Sequence, residues 1–195
     1  MSIGKTDSSA HSTAVRTSKT HPLQIAEVGH LDGTLGITFC PGKKQLSGMT
    51  GAWDRDLAID MAAIKEWNPD YVIACCEPHE YVKLKVPHIF SEFAHYGIDA
   101  VPLAFPDDTV PNDHLNQALD YWIPQLASCI AKKGRVLYFC KGGLGRSGFL
   151  LARTLLELGV PPRTALARLR AVRPGAVYTQ EQESTIYEIY ENDRT

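Results

Sequence analysis

The chain has 195 residues, a formal charge of −2, and 44% hydrophobic and 22% charged residues. That length suits one domain with a generous core, and the composition is ordinary for a soluble globular protein. The near-neutral balance gives no reason to expect nucleic acid or a membrane surface as partner, no apolar run approaches bilayer length, and no secretory h-region opens the chain. Cys40, Cys75, Cys76, Cys129 and Cys140 are odd in number and lack Cys-x-x-Cys spacing. They read as reduced thiols in a cytoplasmic compartment. The histidines form no His-x-x-x-His pair, so no metal site is expected.

Residues 1–21 are rich in Ser, Thr and Lys with almost no large apolar side chain, and read as a flexible tail before one domain over 22–195. "LQIAEV" and "LGITFC" are short strand-like runs, the second stopping at Pro41-Gly42. From Asp54 to Trp67 a helix is expected, with Leu57, Met61 and Ile64 on one face and Pro69 beyond its end. "YVIACC" (71–76) is a short apolar run typical of a strand covered on both faces. Two short helices (77–85 and 88–96) and a strand (98–105) follow. After the loop "PDDTVPND", Asn112 or Asp113 would cap a long helix with the stripe Leu115, Leu119, Trp122, Leu126 and Ile130. "RVLYFC" (135–140) is a buried strand, and helices are expected over 147–158, 162–172 and 179–192. This alternation implies an α/β fold, a central mainly parallel sheet flanked by helices, with ligands beyond the carboxyl ends of the strands.

Cys140 stands at such an end, in "YFCKGGLGRSG". Gly142, Gly143 and Gly145 let consecutive backbone N–H groups turn inward as an anion cradle. The helix starting near Arg146 directs its positive end there, and the Arg146 guanidinium can hold two phosphate oxygens at once. The same field favours a thiolate nucleophile at Cys140. Such a thiolate could accept a phosphoryl group, with the loop amides and Arg146 stabilising its oxygens and no metal required. Ser147 could donate to the sulfur as it leaves. The bland alternative is a glycine-rich turn with a buried, inert cysteine.

At these residues the chain resembles the cysteine-dependent dual-specificity protein phosphatases, whose signature is His-Cys-x5-Arg-(Ser/Thr). Its Gly-Gly-Leu-Gly-Arg-Ser portion looks most like the cyclin-dependent kinase-associated branch. The resemblance runs from about "LGITFCPG" to the last helix. It implies the dual-specificity phosphatase fold, no cofactor, and hydrolysis of phosphotyrosine and phosphoserine or phosphothreonine in proteins. Within "PDDTVP" it makes Asp107 the general acid, with Asp108 the adjacent alternative. Within "RPGAVYTQEQ" it brings Gln182 to the site to position water and Arg173 to fix the loop. Lys141, Gly142, Gly143, Leu144 and Gly145 become the substrate-binding loop. Lys141 and the absence of a second loop lysine at Leu144 favour phosphoprotein over phosphoinositide substrates.

Two departures stand out. Phe139 replaces the histidine that usually precedes the nucleophile, which implies reduced or retuned activity and keeps a phosphate-binding pseudophosphatase in view. Asp108 and Thr109 replace two glycines, which would stiffen the acid loop. Sulfur or arsenate chemistry on a similar loop is a third reading. Cys75 or Cys76 could serve as a resolving thiol for oxidised Cys140. Arg163, Arg168, Arg170 and Arg173 read as a solvated helix face. The oligomeric state is left open, a monomer being compatible with everything above.

Overall fold

A computed structural model describes residues 15–47 and 51–192. In chain order the elements are β1 (Ala26–His30), β2 (Gly33–Phe39), β3 (Lys44–Gln45), β4 (Trp53–Asp54), α1 (Leu57–Trp67) and β5 (Tyr71–Ala74). Then come α2 (Pro78–Lys83), α3 (Ile89–His95), β6 (Ala100–Pro102), α4 (Asp113–Ala131), β7 (Arg135–Cys140), α5 (Gly145–Glu157), α6 (Pro162–Val172) and α7 (Gln180–Asn192). The five-stranded sheet runs β1-β2-β7-β5-β6, with β1 antiparallel to β2 and every other pairing parallel. This is the expected α/β architecture.

Alternation along β7 shows that both faces are covered. Tyr138 reaches α5, where its hydroxyl meets Thr154 Oγ1 at 2.7 Å. Its neighbour Phe139 turns to the opposite face and packs on Phe93 of α3, ring centroids 5.9 Å apart.

The helix boundaries follow the caps. Asp56 accepts from Ile59 N to start α1, which ends at Asn68 in a left-handed conformation just before Pro69. Asn112 caps α4 by accepting from Leu115 N. The buried stripe of α4 is Leu119, Ile123, Leu126 and Ile130, so Ile123 takes the inner place expected of the half-buried Trp122. At its C-terminus Lys133, not Gly134, adopts positive φ. Gly134 is needed for room, since a Cβ there would stand 2.3 Å from Cys129 Sγ.

Two features differ from the sequence reading. A small antiparallel pair, β3–β4, follows β2; strands of two residues carry no periodicity to detect. In addition, residues 16–21, the last part of the stretch taken as a tail, pack on the body. Arg16 exchanges backbone hydrogen bonds with Ala52 and Asp54. Ser18 is buried and donates to Asp60 Oδ1 at 2.8 Å, and Arg55 Nη1 donates to His21 O at 2.8 Å. A buried carboxylate gives these polar residues a partner that composition alone could not reveal. Residues 1–14, the first part of that stretch, lie outside the described residues.

The centre of this cluster is the pair Arg55–Asp60, both side chains fully buried. Arg55 Nε and Nη2 donate to the two carboxylate oxygens at 2.7 and 2.8 Å, and Gly42 N also donates to Asp60 Oδ2 at 2.8 Å. Asp60 thereby ties α1 to the turn between β2 and β3.

Candidate active site

Strand β7 delivers Cys140 to the carboxyl edge of the sheet, and α5 begins five residues later. The intervening loop is held by its carbonyls. Lys43 Nζ donates to Lys141 O at 3.0 Å, while Arg173 Nη2 and Nε donate to Gly142 O and Gly143 O at 3.0 and 2.9 Å. In a planar trans peptide the next N–H points opposite to the carbonyl. Three outward carbonyls therefore aim the amides of Gly142, Gly143 and Leu144 inward, and Gly143 N reaches Cys140 Sγ at 3.3 Å. Ser147 Oγ lies 3.3 Å from the same sulfur.

Gly143 has φ +67°, and a Cβ there would fall 2.5 Å from the Thr38 carbonyl group. Gly143→Ala is expected to cost about 2 kcal/mol from the left-handed backbone alone. Thermal denaturation should show Tm falling by about 4–8 °C. Gly145 is hemmed in by Tyr178 and Gln182, which a Cβ would approach to 3.0 and 3.2 Å.

Arg146 is fully buried. Its Nη1 and Nη2 donate to the Glu80 carboxylate at 2.5 and 2.8 Å, and Nη1 also to Phe105 O at 3.0 Å and Cys75 O at 3.3 Å. Burial pushes the Glu80 carboxyl up, but the Arg146 hydrogen bonds outweigh it and hold the group below its ordinary range. Glu80 in turn holds Arg146 protonated against the opposing effect of burial. Arg146 Nε is buried without a hydrogen-bond partner among the described residues, a donor left over for an anion.

Asp107 carries its carboxylate 3.1 Å from Arg146 Nη2 and 3.8 Å from Lys141 Nζ. Asp108 has positive φ and its carboxylate accepts from the Tyr178 hydroxyl, so the two aspartates face different partners. Gln182 is buried, donating through Nε2 to Thr109 O at 3.0 Å, while its Oε1 has no partner among the described residues. A cavity of about 300 Å³ gathers Cys140, Lys141, Gly142, Leu144, Gly145 and Asp107. A second cavity of about 620 Å³ adjoins it through Gln45, Asp107 and Lys141.

Every residue singled out in the loop, with Asp107 and Gln182, is thus drawn to one end of the sheet. Sequence reasoning missed Glu80, Lys43 and the Arg55–Asp60 pair. Glu80 is also half of a capping box at α2, accepting from Glu77 N at 2.9 Å, which was the only local signal it carried. The basic stretch of α6 is less solvated than expected. Arg170 binds Val177 O and Glu183, Arg168 donates to Gly29 O, and Arg173 is spent on the loop.

All five cysteines are unpaired. Cys75 follows β5, its N–H bonded to Phe139 O at 2.9 Å. Burial pushes the Cys75 thiol well up, and a hydrogen bond with Cys40, then burial, do the same to Cys76. Either would ionise reluctantly as a resolving thiol.

Comparison with known proteins assigns this architecture. The fold matches a crystal structure of kinase associated phosphatase bearing a serine in place of its catalytic-site cysteine, with TM-score 0.77 and 24% identity, covering 88% of this chain and 96% of that one. It also matches Tk-PTP in its active form, with TM-score 0.61 and 25% identity over 80% and 91% of the two chains. Such neighbours are dual-specificity phosphatase folds. The rat protein "Cyclin-dependent kinase inhibitor 3" is 30% identical over 137 residues, covering 69% of this chain and 63% of the relative. The fruit-fly "PRL-1 phosphatase" is 30% identical over 120 residues, 60% of this chain and 62% of the relative. The chain therefore spans somewhat under two thirds of the length of these relatives. A family profile described as "Cyclin-dependent kinase inhibitor 3" matches residues 17–165, from the packed segment before β1 into α6. On that extent of match, the chain belongs to the cyclin-dependent kinase inhibitor 3 family.

Proposed function

We propose that the chain is a metal-independent protein phosphatase, hydrolysing phosphotyrosine and phosphoserine or phosphothreonine through a cysteinyl-phosphate, within a single domain that begins near Arg16. The observation that carries this reading is the sulfur of Cys140 held 3.3 Å from both Gly143 N and Ser147 Oγ, beside an Arg146 that is buried and fixed by Glu80. The names of the relatives support it, and point to a phosphorylated kinase among its substrates. A cytoplasmic setting is supported by the five unpaired thiols.

The substrate's phosphate enters the ring of amides and competes with the Asp107 carboxylate for Arg146 Nη2. Cys140 forms the S–P bond as the P–O bond to the side chain breaks, and protonated Asp107 gives its proton to the departing oxygen. In the second step water attacks phosphorus and gives its proton to Asp107, while Gln182 Oε1 accepts from the water. Ser147 donates to the sulfur as the S–P bond breaks, and inorganic phosphate leaves.

The test is hydrolysis of phosphotyrosyl and phosphothreonyl peptides in excess chelator. Rates should match those without chelator. Asp107→Asn should lower kcat by about 10²–10⁴-fold, the usual worth of a general acid, and more for phosphothreonine, whose alkoxide is the poorer leaving group. Asp108→Asn should have a small effect. A larger loss from Asp108→Asn than from Asp107→Asn would overturn the assignment of the acid.

A further inference from the structure

One buried charge beside the loop has no part in the steps above. Lys43 is 1% exposed, in the turn between β2 and β3. Its Nζ donates to Lys141 O at 3.0 Å and lies 4.8 and 5.4 Å from the ring centroids of Phe39 and Trp53. Arg55 lies over the same two rings, but its charge is matched by Asp60. Lys43 forms no ion pair with a carboxylate among the described residues. A buried ammonium in that position is costly. Around it stand the aromatic faces, the loop carbonyl, the like charges Arg55 and Arg173, and the thiols Cys40 and Cys140. Cys140 lines the same cavity as Lys43. The Phe139 ring, next to Cys140 in the chain, is turned into the core against Phe93 and brings no charge to the loop.

We propose that Lys43 is a positioning residue that does the electrostatic work Phe139 cannot: its ammonium holds the Lys141 carbonyl outward and attracts anionic charge, thiolate or phosphate, into the loop. This rests on the phosphatase reading. The surroundings of Lys43 agree with a charge that is functional at neutral pH and lost above it. Burial lowers it from its ordinary 10.5 to about 8, Cys40 and Cys140 oppose that fall, and Arg173 and Arg55 add to it. Because the folded value is the lower, the unfolded chain binds the extra proton between about pH 8 and 10.5, and Lys43 weakens the fold below that window. Removing it should therefore leave Tm unchanged or raise it.

The experiment follows alkylation of Cys140 by iodoacetamide in the full chain, read by mass spectrometry at that residue. At pH 7, Lys43→Met should react about tenfold more slowly than the unsubstituted protein, the effect of losing one nearby opposite charge. The ratio should approach one as pH rises through about 8, where Lys43 itself becomes neutral. Equal rates at pH 7, with or without a fall in Tm, would make Lys43 a packing residue and overturn the proposal. A second measurement needs no substitution. The ¹³Cε resonance of Lys43 should titrate at higher pH when inorganic phosphate is added, because coupling between two sites is reciprocal. A midpoint that ignores phosphate overturns the proposal as well. Neither readout involves turnover, so a failure to hydrolyse phosphopeptides would count against the phosphatase reading alone.

Discussion

Cys140→Ser should abolish turnover of a generic aryl phosphate, lowering kcat by about 10⁴-fold or more, the scale on which removing a nucleophile is felt. The fold should be untouched, since a serine hydroxyl fits where the sulfur meets Gly143 N and Ser147 Oγ. Binding of a phosphotyrosyl peptide should survive, because Arg146, the loop amides and the donors that orient them are all retained. Acid quenching with labelled substrate should trap a phosphorylated Cys140 in the unsubstituted protein and none in the variant. A protein that binds phosphate tightly and yields no trapped intermediate would instead be the pseudophosphatase that Phe139 keeps in view. Activity that survives the substitution would remove Cys140 from the chemistry altogether.

Asp60→Ala is expected to be the most damaging substitution away from the catalytic groups. It strands the guanidinium of Arg55 in a fully buried position, deprives Gly42 N of its acceptor and leaves Ser18 Oγ only the longer bond to Asp56 O. Breaking a buried pair by removing one partner costs about 3–5 kcal/mol. For a chain of this size that corresponds to a fall in Tm of roughly 10 °C. The combined change Arg55→Met with Asp60→Leu should recover much of the loss, since no uncompensated charge remains. If the single variant melts with the unsubstituted protein, the pair has no role in holding the β2–β3 turn. Activity should fall along with stability in Asp60→Ala, because Gly42 N anchors the turn that presents Lys43 to the loop.

What could be read from the sequence was what is encoded locally. Helix α4 announces itself through Asn112 and a long apolar stripe, and β7 through an uninterrupted apolar run ending at Cys140. The cradle was legible for the same reason: nucleophile, glycines and arginine sit within seven consecutive residues. Asp107 and Gln182 were reached through resemblance, and the structure brings both to the loop. The parts that stayed hidden depend on which charges become buried. Glu80 meets Arg146 across 66 residues, and Lys43 meets Lys141 across 98. In the sequence each is one more surface-type residue, and only the sheet order, which seats β7 between β2 and β5, makes them neighbours of the loop. The packing of residues 16–21 escaped notice likewise, since it depends on a carboxylate carried by α1.

The tethering of the loop bears on how freely such a motif could be transplanted. Its three outward carbonyls are gripped by Lys43, which precedes the loop by almost a hundred residues, and by Arg173, which follows it by thirty. Gly143 rests directly on the backbone of Thr38 in the neighbouring strand. The residues from Cys140 to Ser147, grafted between a strand and a helix of an unrelated α/β protein, would arrive without those grips. They would reproduce the spelling of the motif and lose its geometry. A recipient would need a cation reaching in from each side and an adjacent strand close enough to exclude any side chain at the third residue after the cysteine.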